Sequence, residues 1–365
     1  MPMKENNLQN IAFCLTDDEI IKSVASSVDG VKRIFLVHGH KSYHACGAKA
    51  LFGRLAVLLD WDVVEYEDFS ENPKKEDVDR GVNLALQCRP DAIVAVGGGS
   101  VLDMAKLVRH YSKLSCKLLA LPTTAGTGAE STQFAVCYID GVKHSISDNS
   151  ILPDEVILYP PFTYANGRYL TACTGFDALA QAIEAYWNIN SSADSDRYAL
   201  RAIRCLFPLL AKERLENEDR DLLLRAANDA GRAINITRTT VPHALSYTLT
   251  SKYGYPHGHA VALTFPFFFK YNIEGTEDRY MGKDFEVYAV KMARLRSLLG
   301  IDDDPFTVMR QYIELLGLGF DPDRGFDDLV VAKGLNLERA KNTPIAINDE
   351  VVMAAVKSIR KFNSI

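Results

Sequence analysis

An α/β domain followed by an all-α domain is the fold class this sequence predicts, and three observations predict it. Up to about residue 121, short apolar runs alternate with stretches of helical spacing. That order builds a parallel sheet covered by helices. Beyond Pro160 and Pro161 the alternation ends, and long amphipathic stretches take over. Between the halves lie one hairpin signal, Asp140-Gly141, and one last strand. The boundary is therefore placed at 160, with residues 1–160 in the α/β domain and 161–365 in the helical one.

The elements follow in order. Residues 33–38 (RIFLVH) read as a strand ending at Gly39. The Ala- and Leu-rich stretch 43–59 reads as one helix. Residues 62–67 form the next strand, and 75–88 carry apolar residues at helical spacing. Residues 91–96 (DAIVAV) are almost continuously apolar, as a strand buried on both faces requires. They run into Gly97-Gly98-Gly99-Ser100, and 101–111 reads as a helix. Another buried strand, 117–121, stops at Pro122. Residues 137–140 and 143–147 pair as the hairpin, and 155–159 form a strand. In the second half, 191–210, 219–234 and 351–362 are amphipathic helices. A cleft between two such domains is the expected place for a site.

Composition narrows the function classes. With 47% hydrophobic residues, a core forms without staples. The net charge of -6 and the lack of a basic stretch exclude nucleic acid as the main partner. No apolar run reaches the roughly 18 residues of a transmembrane helix, and the opening MPMKENNLQN is too polar for a signal peptide. Seven scattered Cys without a CxxC pair read as reduced thiols, so the expected location is the cytoplasm.

Two loops carry ligand chemistry in the first domain. Gly97, Gly98, Gly99 and Ser100 sit between a buried strand and a helix. Glycines admit an anion close to the backbone, and the helix start offers unpaired N–H groups. A pyrophosphate is the natural occupant; a tight strand–helix turn is the alternative. The spacing is not GxGxxG. The next strand leads into LPTTAGTGAE, which offers the hydroxyls of Thr123, Thr124 and Thr127, or else forms a hydroxyl-capped turn. Loops after successive parallel strands fall on one sheet edge, where α/β folds bind ligands. The first domain is thus read as Rossmann-like and dinucleotide-binding.

The second domain carries metal-ligand types. Asp177 and Gln181 are four apart, so a helix points both the same way. His243, His257 and His259 follow downstream, and Gly254 and Pro256 place the first two on different elements. One carboxylate and two imidazoles suit Fe(II) or Zn(II) with a position left for substrate oxygen. The alternative is structural: Asp177 as a helix cap and the histidines as core residues.

These segments together resemble a known family. GGGSVLDMAK at Gly97, LPTTAGTGAE at Leu121, GFDALAQAIEAY at Gly175 and PHGHAVAL at Pro256 are similar, in order and spacing over residues 34–266, to the iron-containing (group III) alcohol dehydrogenases. The glycerol dehydrogenases and dehydroquinate synthases share that architecture more distantly. The resemblance implies that Asp177, His243 and His257 are metal ligands. It implies cofactor contacts from the Gly97–Ser100 loop, Asp103, Thr123, Thr124 and Thr127, from Lys143 in the hairpin, and from Asn72. It also implies a homodimer or larger assembly.

Three departures from the family pattern bear on function. The fourth ligand, usually His, is here Gln181, whose amide oxygen binds more weakly. A His common four residues after the first metal-binding His is here Tyr247. Where NAD-preferring members carry Asp after the first strand, this chain has Gly39, His40 and Lys41. Loss of a carboxylate and gain of a cation favour a 2′-phosphate, so NADP(H) is expected over NAD(H), unless Lys41 is only a solvated loop charge. Within the family, residues 233–263 and Gln181 resemble the phosphonoacetaldehyde reductases, which implies reduction of phosphonoacetaldehyde to 2-hydroxyethylphosphonate. Arg238 and Lys252 flank His243 in sequence and are the expected phosphonate contacts; Arg238 could instead pair with a structural carboxylate. Proton delivery is open between Tyr247, His259 and a water on the cofactor ribose. The competing functions are a short-chain alcohol or lactaldehyde dehydrogenase of the same family and a dehydroquinate synthase-like lyase.

Overall fold

The computed structural model describes residues 9–362, which divide into two compact units between Asn166 and Gly167. In the first unit the chain runs β1 (Asn10–Phe13), α1 (Asp17–Ser27), β2 (Arg33–His38), α2 (Ser42–Ala45), α3 (Ala48–Leu58), β3 (Asp62–Tyr66), α4 (Lys75–Cys88), β4 (Ala92–Gly97), α5 (Gly99–Ser112) and β5 (Lys117–Pro122). It continues with β6 (Phe134–Ile139), β7 (Val142–Ser147) and β8 (Glu155–Leu158). Six strands form a parallel sheet in the order β1-β8-β5-β4-β2-β3. The central strand β4 is buried along its whole length, which its unbroken apolar sequence requires. Two apolar layers cover the sheet, one built on Ile34, Leu36 and Val94, the other on Phe35, Ile93 and Met104. The hairpin β6–β7 turns at Asp140 (φ 51°) and Gly141 (φ 77°), both left-handed as its two-residue turn demands.

Two local readings need correction. The stretch 43–59 is not one helix: it breaks at Gly47, where φ is 82°, and the Cys46 and Gly47 N–H groups return to Ser42 and His44. A glycine in that conformation ends a helix. The pair β1 and α1 was not anticipated. β1 is a four-residue edge strand with no clear alternation. The start of α1, however, carries a readable signal. Thr16 and Glu19 form a capping box, with Asp17 and Asp18 in the first turn.

The second unit is helical: α6 (Arg168–Trp187), α7 (Ala193–Leu210), α8 (Asn217–Thr237), α9 (Val241–Tyr253), α10 (His257–Ile273), α11 (Phe285–Leu298), α12 (Pro305–Leu315), α13 (Asp328–Lys333), α14 (Leu337–Ala340) and α15 (Asp349–Ser358). Helix α6 is its axis and packs on α7, α8 and α10. From Gly175 to Trp187 every side chain is buried. A helix with apolar residues all round belongs in such a position, and the polar groups it carries inward must be used there. Among the described residues no helix is long and apolar enough to cross a membrane, and all seven cysteines are free thiols.

Candidate metal centre and cofactor loops

In the first unit, the loops after β2, β3, β4 and β5 emerge on one edge of the parallel sheet. Gly98 caps α5 in an extended conformation. A Cβ on Gly97 would lie 2.4 Å from Val101 Cγ2, and one on Gly99 2.9 Å from Thr127 Cγ2. Packing therefore requires those two glycines. At Gly98 a Cβ would stand 3.5 Å from Thr124 Oγ1, an ordinary contact, so packing does not require the middle glycine. Its bare backbone at a helix N-terminus is what a phosphate needs. The loops are tied together: the Thr123 N–H donates to Gly97 O at 3.0 Å, and the Asn72 N–H donates to Ser100 Oγ at 3.2 Å from a left-handed φ of 59°. The buried Thr123 hydroxyl has no hydrogen-bond partner among the described residues, as a group awaiting a ligand would.

Asp103 is tied to the hairpin: it accepts from the Val136 N–H at 2.9 Å and lies 3.8 Å from the buried Lys106. The loop after β2 is not uniformly cationic. His40 Nδ1 lies 3.1 Å from Glu67, and His38 lies 3.6 Å from Glu67 and 3.8 Å from Glu65. A carboxylate absent from the end of β2 is supplied by the chain just past β3, so Lys41 is the cation not drawn into that cluster.

In the second unit three helix segments converge. Asp177, Gln181 and Glu184 occupy one face of α6 at i, i+4 and i+7. His243 sits in the first turn of α9, which Pro242 opens; α9 ends at Gly254 (φ 70°), and His257 is the first residue of α10. His243 Nε2 is 3.0 Å and His257 Nε2 3.9 Å from Asp177 Oδ1. One donor atom from each of the three residues lies within 4.8 Å of the others. An ion about 2.1 Å from each donor needs such spacing, and two imidazoles with one carboxylate suit Fe(II) or Zn(II). Gly258 makes the approach possible: a Cβ there would lie 1.9 Å from the Cys173 carbonyl oxygen.

Glu184 is fully buried behind His243 and hydrogen-bonds its Nδ1 closely. Its other oxygen accepts from the Thr240 N–H at 2.5 Å and hydroxyl at 2.8 Å. With the Nδ1 proton held there, Nε2 is left for an ion, the arrangement that orients metal-binding histidines. Burial opposes charge on His243, but Glu184 and Asp177 outweigh it and push its pKa up to about 9. An incoming cation therefore displaces a proton.

The remaining expected residues divide. Gln181 supports the donor set through its amide nitrogen, which donates to Asp177 Oδ2 at 3.3 Å and turns Oδ1 toward the histidines. Tyr247 does stand at the centre, its ring 6.1 Å from that of His257. His259 does not. It points the other way along α10, where Nε2 donates to Gly319 O at 2.8 Å and Nδ1 accepts from the Tyr169 hydroxyl at 2.9 Å. Burial opposes its charge, and both nitrogens are hydrogen-bonded, so it anchors the 319 loop. His259→Ala is accordingly expected to cost about 2 kcal/mol in urea unfolding while the metal content per chain stays at the wild-type value; loss of metal would contradict this. Arg238 and Lys252 lie at the ends of different helices. Arg238 caps the end of α8. Lys252 is exposed in the last turn of α9, where a cation meets the negative helix end.

Sequence reading missed Glu184 and Gly258. For Glu184 a signal existed, a lone acid in AQAIEAYW seven residues after Asp177. Nothing local marks the need for glycine at 258.

Residues 14–160 match the family described as iron-containing alcohol dehydrogenase, and residues 171–304 match its C-terminal description. Among curated proteins the chain is 34% identical over 219 residues to a phosphonoacetaldehyde reductase of Streptomyces viridochromogenes, covering 50% of this chain and 54% of that one. It is 31% identical over 233 residues to a long-chain-alcohol dehydrogenase of Geobacillus thermodenitrificans, covering 58% and 59%. The chain thus spans between half and three fifths of the length of these relatives. A sulfoacetaldehyde reductase from Bifidobacterium kashiwanohense, solved in complex with NAD+, superposes with a TM-score of 0.83 at 25% identity, covering 100% of both chains. An iron-containing alcohol dehydrogenase from Thermotoga maritima gives 0.82 at 25% identity, covering 96% of this chain and 97% of that one.

Proposed function

The chain belongs to the iron-containing alcohol dehydrogenase family, and from that premise we propose that it reduces phosphonoacetaldehyde to 2-hydroxyethylphosphonate with NADPH. The observation that carries the reading is the buried Asp177–His243–His257 donor set with Glu184 behind it. A divalent ion held there, Fe(II) or Zn(II), supplies Lewis-acid polarisation of a carbonyl. Asp177, steadied by Gln181, and the two histidines hold that ion, and Glu184 fixes the His243 tautomer. The Gly98 backbone and the Thr123 hydroxyl bind the dinucleotide, which brings the hydride. Lys41 supplies the cation for a 2′-phosphate. Tyr247, its hydroxyl pKa raised by burial, keeps its proton beside the centre. The phosphonate assignment is supported by the relative of that activity and by Arg339 beside Tyr247. We propose the same cytoplasmic, homodimeric setting for the whole protein.

A second reading is favoured by one observation: another relative is named as a long-chain-alcohol dehydrogenase. Reduction of a neutral aldehyde is that reading. A panel of phosphonoacetaldehyde, lactaldehyde and propanal, each with NADPH and NADH, separates the two. The expected kcat/KM is highest for phosphonoacetaldehyde with NADPH, by tenfold or more, about 1.4 kcal/mol of discrimination. Equal values across the aldehydes favour the neutral reading.

A further inference from the structure

Arg339 is in α14, far from the metal-binding motifs in sequence, yet it is only 8% exposed. Arginine is rarely buried without something for its five donors to hold. Its side chain hydrogen-bonds the hydroxyl of Tyr247, the same tyrosine whose ring lies 6.1 Å from His257 and whose hydroxyl feels Asp177 and Glu184. The guanidinium therefore sits one aromatic side chain away from the metal corner.

A second guanidinium is close by. Burial opposes the charge of Arg238, and Arg339 is near enough for the two charges to repel as well. Its backbone is strained: φ 65° with ψ 178° is a region that glycine alone enters freely. Hydrogen bonds to its carbonyl from Asn188 and Thr237 hold it there. The neighbouring carboxylate, Glu338, lies 3.6 Å from Arg238 but its side chain is 80% exposed, so it offsets little of the charge. Two cations held together at such cost suit a ligand of double negative charge. A tetrahedral phosphonate accepts paired hydrogen bonds from planar guanidinium forks.

We propose that Arg339, with Tyr247 and Arg238, forms the subsite for the substrate's anionic tail and selects a dianionic headgroup over a neutral one. The proposal rests on the reductase reading above for the identity of the substrate, but the subsite can be tested without it. One carbon separates phosphorus from the carbonyl in phosphonoacetaldehyde, so tail and carbonyl sites must be close neighbours, and the Tyr247 ring lies 6.1 Å from that of His257.

The test uses the metal-loaded protein and Arg339→Gln. Two quantities are measured: the dissociation constant of ethylphosphonate by calorimetry, and the kcat/KM ratio of phosphonoacetaldehyde to propanal. Both are expected to worsen by about 100-fold, as when one partner of a charge-assisted pair is removed. If wild type prefers phosphonoacetaldehyde and Arg339→Gln shifts both quantities less than about threefold, the subsite is wrong and the reductase reading stands. If wild type shows no preference, the reductase reading fails, and Arg339-dependent ethylphosphonate binding still upholds the subsite. Should Arg339→Gln not fold, Arg339→Lys keeps the charge and loses the fork. A loss of about tenfold in ethylphosphonate affinity then supports the subsite, and unchanged affinity overturns it.

Discussion

Gly258→Ala is expected to leave the protein with less than about a tenth of its metal and to lower kcat/KM by a hundredfold or more, the cost of displacing a site by about 1 Å. The added methyl carbon would lie 1.9 Å from the Cys173 carbonyl oxygen, 2.7 Å from its carbon and 3.2 Å from Asp177 Cβ. These are atoms of the α6 backbone and of a ligand, so no side-chain rotation relieves the contact. The start of α10 must move away from α6, and His257 is the first residue of that helix. Its Nε2 then leaves Asp177. Overpacking of this kind costs a further 1–3 kcal/mol of stability, roughly. Metal per chain by mass spectrometry and urea unfolding check both parts, and wild-type metal content contradicts the packing argument. Gly175→Ala is the control. There the new Cβ meets Leu210 Cδ2 at 2.4 Å, a side chain that can turn, so the centre keeps its metal.

Glu184→Gln is expected to weaken metal binding by about 10- to 100-fold, as loss of a carboxylate behind a metal-binding histidine does. The amide is nearly isosteric, but Glu184 faces donors on both sides. It accepts from His243 on one oxygen and from the Thr240 N–H and hydroxyl on the other. An NH2 group must confront one of them, leaving a buried donor unsatisfied at about 1–3 kcal/mol. The variant also changes the pH dependence of the metal-free protein. Burial lowers the His243 pKa, but Glu184 first and Asp177 with it raise it to about 9. A folded pKa above the unfolded value of roughly 6.5 contributes stability that is complete below pH 6.5 or so and is lost as pH rises through about 9. Urea midpoints of chelated wild type therefore fall between pH 6.5 and 9, by this group's share, and those of Glu184→Gln fall less. Parallel profiles would show that Glu184 does not hold the His243 charge.

Much of the fold was readable because its signals are local. The buried strand at 92–97 and the helix at 75–88 follow from runs and periods within a dozen residues. The hairpin follows from one Asp-Gly pair. The break at Gly47 was missed because the apolar spacing continues across it. At the site, Asp177, His243 and His257 carry chemistry in their residue type, and the structure brings them together. His259 has the same type and lies two residues from His257, yet that offset turns a helical side chain to the opposite face. Lys252 was read by nearness in sequence, whereas two and a half turns of α9 separate it from His243. Arg339 and the need for glycine at 258 are tertiary facts. The first depends on α14 packing on α9, the second on α10 crossing α6 at Cys173.

The central claim is that a metal held by Asp177, His243 and His257 assists aldehyde reduction by NAD(P)H. It is tested most directly by stripping the protein with a chelator and following NADPH oxidation by phosphonoacetaldehyde before and after return of Fe(II) or Zn(II). The rate is expected to fall with the metal content, by a hundredfold or more, and to return with one ion per chain. Full turnover by protein shown to hold no metal would contradict the claim.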